Sequence, residues 1–407
     1  MPLLQSLFSN AQPVVDTAAS PRPDYPSPYG VKTQSGEKVS VYSAMSIATF
    51  YRGLNIITDD IAKMPFQQFS RQDNKVEHVE PDGLARNMAY LLQVSPNLWG
   101  WTPFQFKKAV ATWVLTHGNG FVWRPPLITP QLLILPANRT VPVFEKNTGD
   151  LWYQHTFSNG EKRYIPAVEI LHLLINPDES GVMGRGVIQF ARESIGRQLG
   201  AHKVQSRMYS SGLTAAAYVQ VDAHLDQDGR NKIKASYSEA ISGADNAYSL
   251  AVFDKKITKF EPIQISAKDA EFLGQIDATD RDICNFLGLS EHMLNRGKEA
   301  YNSNEQKYTE YLQGTLDAYL VPWEEGARIK WLSQSEHGTG YFKFNRASLL
   351  RMDAKARAET NSIKIQSGQM NPNEARALEE QSPYAGGERY WMMSNLQPVE
   401  GVPANAQ

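Results

Sequence analysis

The chain has 407 residues, 42% hydrophobic and 21% charged, with 8 Trp and 18 Tyr, a composition that excludes a largely disordered protein. Its 41 basic and 43 acidic side chains leave a net charge of −2, which excludes the strong positive field of a protein that grips nucleic acid through many phosphates. A single cysteine, Cys284, excludes an internal disulfide framework and a cysteine-only zinc site, and its amphipathic surroundings predict a buried structural thiol.

A chain of this length exceeds what one hydrophobic core organises, so about two or three structural units are expected. Residues 1–40 and 396–407, rich in Pro, Ser, Ala and Gly without periodicity, read as flexible arms, with the folded part beginning near Val41. The N-terminus MPLLQSLFSNAQP lacks the basic start and long apolar core of a secretory signal, and no apolar run is long enough to span a bilayer. The expectation is therefore a protein made in a reducing cytoplasm, with no membrane partner.

From Ala44, the residues Ile47, Ala48, Tyr51, Leu54, Ile57 and Ile61 recur at helical spacing until Pro65. A second helix is announced by Thr102-Pro103-Phe104-Gln105, where Thr caps, Pro fits the first turn and Gln completes a reciprocal cap; Gly118 ends it. Between Phe121 and Leu171, FVW, QLLIL, VPVF, LWYQHTF and RYIP read as a meander of short strands. A long helix over residues 187–211 follows, spanning roughly 37 Å at about 1.5 Å per residue, with Gly212 after it.

The next fifty or so residues, with TAAAYVQVD, a helix over about 226–241, YSLAVF and ITKFEPIQI, read as a small α/β insert. A second long helix starts at Ser266 and carries Phe272, Leu273, Ile276, Ile283, Phe286 and Leu287 before Gly288. The loop GLSEHMLNRGKEAYNSN leads into a third, capped by Ser303 and Gln306, kinked at Pro322 and ending near Ser333. The strand YFKFN and two further helices, from Met352 and from Asn371-Pro372-Asn373-Glu374, complete an α+β chain.

Charge separates the long helices flanking the insert: residues 187–211 carry a net +3 and residues 267–287 a net −3. Arg192, Lys203 and Arg207 fall within about 60° of one another at 100° per residue, a stripe that suits either solvent or the acidic helix of the same or a neighbouring subunit.

Local signatures of chemistry fail. GVMGRG has the wrong glycine spacing for a dinucleotide loop, and Gly297-Lys298 has His292 where a phosphate-binding loop needs its first glycine. HExxH, GxSxG and Cys/His zinc spacings are absent, and His172, between Leu171 and Leu173, reads as a satisfied core residue. Adjacent carboxylates such as Asp59-Asp60 and Glu324-Glu325 read as surface charges. No catalytic residue, cofactor or metal ligand is assigned; the alternative is an enzyme acting on nucleic acid through a site assembled from distant residues.

Several segments, in order, resemble the portal family of tailed bacteriophages in its compact, long-tailed-phage form. They are SIATFYRGLNIITDDIAKMPF, SPNLWGWTPFQF, LTHGNGFVW, VEILHL with GVMGRGVIQFARESI, RDICNFLGLSEHML, YNSNEQ and NEAR, and the resemblance covers roughly residues 41–390. It implies a non-enzymatic ring of about a dozen subunits at one vertex of the phage head. Its parts would be a wing (41–186 and 334–351), stem helices (187–212 and 266–288), a clip (213–265), a tunnel loop (289–302), a tunnel helix (303–333) and a crown (352–395). Arg296, Lys298, Tyr301 and Asn302 would line the DNA channel, and Arg192, Lys203 and Arg207 would form the stem stripe. The implied partners are non-specific, transient double-stranded DNA, the terminase large subunit, a head-completion or neck adaptor, and the major capsid and scaffolding proteins. Near-neutral charge suits a conduit, since each strong phosphate contact would resist sliding.

Overall fold

Helical and strand-like runs alternate along the sequence, and the computed structural model resolves them into an α+β architecture of two compact units, Met1–Asn345 and Arg346–Gln407. It describes residues 13–16, 30–72, 75–210, 217–221, 226–228, 231, 257–262, 269–294, 304–349, 354–379 and 381–391.

The first unit opens with β1 (Val15–Asp16) and the hairpin β2 (Val31–Lys32) and β3 (Lys38–Val39), closed where Thr33 donates from both its amide and hydroxyl to the Glu37 carbonyl at 2.9 Å. Paired structure therefore occurs before Val41, in β1 against β8 and in the β2–β3 hairpin, and the expectation of a loose arm up to residue 40 fails there. The physical reason is this turn and the burial of Val39. Next come α1 (Val41–Met45), α2 (Ala48–Lys63), β4 (Phe66–Gln72), β5 (Lys75–His78), α3 (Met88–Gln93) and α4 (Pro103–His117). Helix α2 buries Leu54, Ile57 and Ile61 of the predicted stripe, with Ile47 buried at its N-cap and Phe50 buried in addition, whereas Ala48 and Tyr51 are exposed; α4 carries the predicted Thr102–Gln105 reciprocal cap.

The short strands are β6 (Asn119–Trp123), β7 (Leu133–Leu135), β8 (Thr140–Glu145), β9 (Leu151–Thr156), β10 (Lys162–Pro166) and β11 (Ile170–Leu174). They divide between two antiparallel sheets, ordered β1-β8-β9-β10 and β11-β6-β7, rather than running as one meander. Phe121, Trp123, Tyr153, Ile165 and Ile170 form a common core across both.

Helix α5 (Val187–Ser210) follows, then the antiparallel pair β12 (Ala217–Val221) and β13 (Ile257–Pro262), then α6 (Asp269–Leu287). The rest of the predicted insert, including the helix near 226–241 and YSLAVF, lies outside the described residues except for short fragments. The third long helix consists of α7 (Asn304–Tyr311), a π-helical turn at Leu312–Leu316, and α8 (Asp317–Trp331). Its irregular ladder therefore lies before Pro322, which sits inside α8. The strand β14 (Gly340–Phe344) returns to pair with β4, stacking Phe344 on Phe66 at 4.3 Å, with Trp323 of α8 edge-on to Phe66 at 5.9 Å.

The second unit contains α9 (Ala354–Gln366) and α10 (Pro372–Leu378), the latter opened by Asn371 and Glu374 in a reciprocal cap. Arg376 donates to the Ser382 carbonyl at 2.8 Å and lies over the Tyr384 ring, tying the following loop to α10.

Two of the three glycines of GVMGRG serve packing, whereas Gly181, at φ +70°, lies in open space. A Cβ on Gly184 would come within 2.2 Å of the Gly118 carbonyl oxygen, and one on Gly186 within 2.2 Å of the Thr116 carbonyl oxygen. Asn119 clamps the same loop, donating to the Gly184 carbonyl and accepting from its amide, both at 2.8 Å. His172 completes the cluster: it stacks on Phe121 at 4.3 Å, and its two ring nitrogens meet Tyr153 Oη at 3.1 Å and Asn119 Oδ1 at 2.9 Å. Burial, aided by the Lys330 charge, pushes its pKa down to about 3, so it is the neutral, satisfied core residue expected.

Gly118 closes α4 at φ +79°, with Arg185 backbone atoms within 2.5 Å of any Cβ. Gly118→Ala should cost about 2–4 kcal/mol in urea unfolding, combining backbone strain with steric conflict. Gly100→Ala, at φ +76° but in open space, should cost only about 1 kcal/mol. Equal costs would remove close packing as the reason for Gly118.

Candidate functional site

Helices α2, α5 and α6 meet at one carboxylate. Asp280 of α6 is 1% exposed, and its Oδ1 accepts from Thr49 Oγ1 of α2 at 2.5 Å and from Gln198 Nε2 of α5 at 2.9 Å. Two residues on, Asp282 accepts from Arg197 at 3.0 Å and Ser194 at 3.3 Å, both on α5. Beneath these polar contacts Ile283, Cys284 and Leu287 are buried, as expected for the lone cysteine. Helix α2 can approach because position 53 is glycine: a Cβ there would lie 2.5 Å from Leu287 Cδ1 and 3.1 Å from Leu289 Cδ1.

The same helix supports the other flank of the segment that follows α6. Helix α6 ends at Gly288, φ +66°, and a 3-10 turn at Glu291–Leu294 follows, with Arg281 pairing Glu291 at 3.2 Å. On the far side, Tyr308 and Tyr311 of α7 donate to Asp60 Oδ2 of α2 at 3.4 and 3.3 Å. Thr315, inside the π-turn, donates to the Gly288 carbonyl at 2.6 Å, joining the two flanks directly.

Asp60 is therefore not the surface charge its sequence position suggested. It is 5% exposed; burial pushes its carboxyl pKa up, and Lys63 at 3.3 Å and the two phenols oppose that shift. Tyr308 is pushed up to about 12 by burial and the neighbouring carboxylate, and Tyr311 further still, so both phenols remain donors. Asp59 pairs with Lys108 of α4 at 2.5 Å, and Glu324 accepts from the Phe344 amide at 2.8 Å, so these carboxylates also link elements.

Of the three stripe residues, Lys203 and Arg192 have described side chains. Lys203 reaches Glu37 of the β2–β3 hairpin at 2.7 Å, and among the described residues Arg197 pairs with Asp282 of α6 at 3.0 Å. Arg192 is half-buried on α5, and the Arg207 side chain lies outside the described residues. Arg296, Lys298, Tyr301 and Asn302 also lie outside them. Among the described residues, no helix is long and apolar enough to cross a membrane.

The family model described as "Phage portal protein" matches residues 48–380. The chain is 24% identical over 394 residues to the probable portal protein of Streptomyces phage phiC31, covering 92% of this chain and 83% of that one. It is 22% identical over 368 residues to the portal protein of Enterobacteria phage HK97, covering 89% and 85%. In fold it is similar to an HK97-family phage portal protein from Corynebacterium diphtheriae, with a TM-score of 0.56, 15% identity and coverage of 80% and 99%. It is also similar to a chain from the neck of a native gene transfer agent particle computed with C12 symmetry, with a TM-score of 0.54, 15% identity and coverage of 90% and 97%.

Replacing Asp280 by Ala should leave the buried Thr49 and Gln198 donors without their shared acceptor and cost about 3 kcal/mol in denaturant unfolding, whereas Asp280→Asn, keeping one acceptor oxygen, should cost about half as much. Equal losses would mean that the charge, rather than the shared acceptor, sets the helix junction.

Proposed function

The chain belongs to the phage portal protein family, and from that premise we propose that about a dozen copies form the ring through which double-stranded DNA enters and leaves the phage head. The family match across residues 48–380 carries this reading. The C12 symmetry of the gene transfer agent neck supports a ring of that size.

In this reading the wing comprises residues 41–186 and 334–351, and the return of β14 to β4 supports joining those two stretches. Helices α5 and α6, packed through Asp280 and Asp282, form the stem; the clip is 213–265, the tunnel loop 289–302, the tunnel helix 303–333 and the crown 352–395. Phe190, Val204 and Phe286 are 48%, 51% and 41% exposed on α5 and α6, apolar surface that a neighbouring copy would cover. Arg192, Lys203 and Arg207 would add attraction to the neighbour's acidic helix. The clip meets the terminase large subunit during packaging and a neck adaptor afterwards, and the wing meets capsid and scaffolding proteins. The protein is made in the host cytoplasm before joining the capsid vertex.

The loop residues Arg296 and Lys298 supply a weak ring of positive charge that centres DNA without arresting it, with Tyr301 and Asn302 adding polar contacts. Changing Arg296 and Lys298 together to Glu should leave rings intact but lower packaged or retained DNA in assembled heads at least about tenfold, since the ring repeats a repulsive charge at every subunit. Normal DNA content, with rings verified, would remove these side chains from the mechanism.

A further inference from the structure

The π-turn at Leu312–Leu316 sets which face of α7 meets α2. Across it the Asp317 amide bonds the Leu312 carbonyl, five residues back, so the turn holds one residue more than an α-helix would. The buried face of the helix beyond it is Leu316, Leu320, Trp323, Ala327 and Trp331. Traced backward as a regular helix at about 100° per residue, that face would leave Tyr311 about 160° away and Tyr308 about 100° away. The extra residue rotates both by about 100°, which brings their phenols onto Asp60.

The alternative register is defined by the same arithmetic. If the turn closed into regular α-helix, α7 would rotate by about 100° and shift by about 1.5 Å, and the next residue along would occupy each vacated place. Thr309 would replace Tyr308, and Leu312 would replace Tyr311. Leucine cannot donate a hydrogen bond, and threonine is too short to reach as a phenol does, so Asp60 would be left with Lys63 alone. The phenol contacts thus select the π register against the hydrogen-bond geometry that favours a continuous helix. Two further features suit a turn that can change register: Gly314 lies in open space, and Thr315 hangs from the Gly288 carbonyl by one hydrogen bond.

We propose that Leu312–Leu316 is a one-residue register switch, held in its π form by Tyr308 and Tyr311 on Asp60 and linked through Thr315 to the end of α6 at Gly288. It does not depend on the ring reading, because every contact it uses lies within one copy.

Hydrogen exchange at the amides of residues 312–317 in the full-length protein tests it. Tyr308→Phe with Tyr311→Phe removes both donors and should let the turn close into continuous helix, slowing exchange there about tenfold or more while leaving the amides of 323–331 unchanged. A second variant moves the phenols one residue along: Tyr308→Thr, Thr309→Tyr, Tyr311→Leu and Leu312→Tyr. It should favour the continuous helix and exchange more slowly than the unaltered protein at 312–317. Exchange no slower than in the unaltered protein, in a folded shifted variant, would overturn the switch. Should the shifted variant not fold, the double Phe variant decides alone: unchanged or faster exchange at 312–317 overturns the proposal, and local slowing supports it.

Discussion

The arrangement of the helical half of the first unit depends on one buried carboxylate oxygen accepting from two helices while belonging to a third. Thr49, Gln198 and Asp280 are far apart in sequence, and with Cys284 as the lone cysteine no disulfide links them. A buried acceptor shared by Thr49 and Gln198 cannot slide along either helix without leaving donors unsatisfied, so it sets register as well as proximity. The apolar packing of Ile283 and Leu287 supplies attraction but little positional discrimination.

From that junction the helix α2 acts as a strut. Its Gly53 receives Leu287 and Leu289, and its Asp60 receives Tyr308 and Tyr311, so both flanks of the segment between α6 and α7 rest on one rigid element. The strut is itself backed by α4 through Lys108 and by Lys107, a buried lysine that donates to the Met64 carbonyl at the end of α2. Burial lowers the Lys107 pKa to about 8, a cost met by that hydrogen bond and the nearby Phe344 ring.

Most of the framework was legible in sequence. The α2 stripe, the Thr102–Gln105 cap, the ends of α4 at Gly118 and α6 at Gly288, and the Asn371–Glu374 cap are local patterns, and local rules find them. The polar junction was not legible, because a lone Thr or Asp on a helix is read as solvent-facing unless its spacing is checked against the apolar stripe. That check existed: Thr49, Gly53, Ile57 and Asp60 recur at intervals of four, four and three, one face of α2. Reading Asp59-Asp60 as a unit hid it. The partners of Asp60 lie some 250 positions away, and only tertiary structure brings them together. The π-turn was missed for a different reason: Pro322 is the obvious helix breaker nearby, whereas an extra residue in a helical ladder leaves no compositional mark.

A single copy leaves Phe190, Val204 and Phe286 exposed on the paired helices, and a cyclic assembly repeats one solution to that exposure at every subunit. Electron microscopy of the purified protein at micromolar concentration and moderate salt tests this most directly. The portal reading predicts closed rings with a central hole and about twelve-fold symmetry. A population of monomers and dimers alone, at every concentration and salt tried, would contradict it.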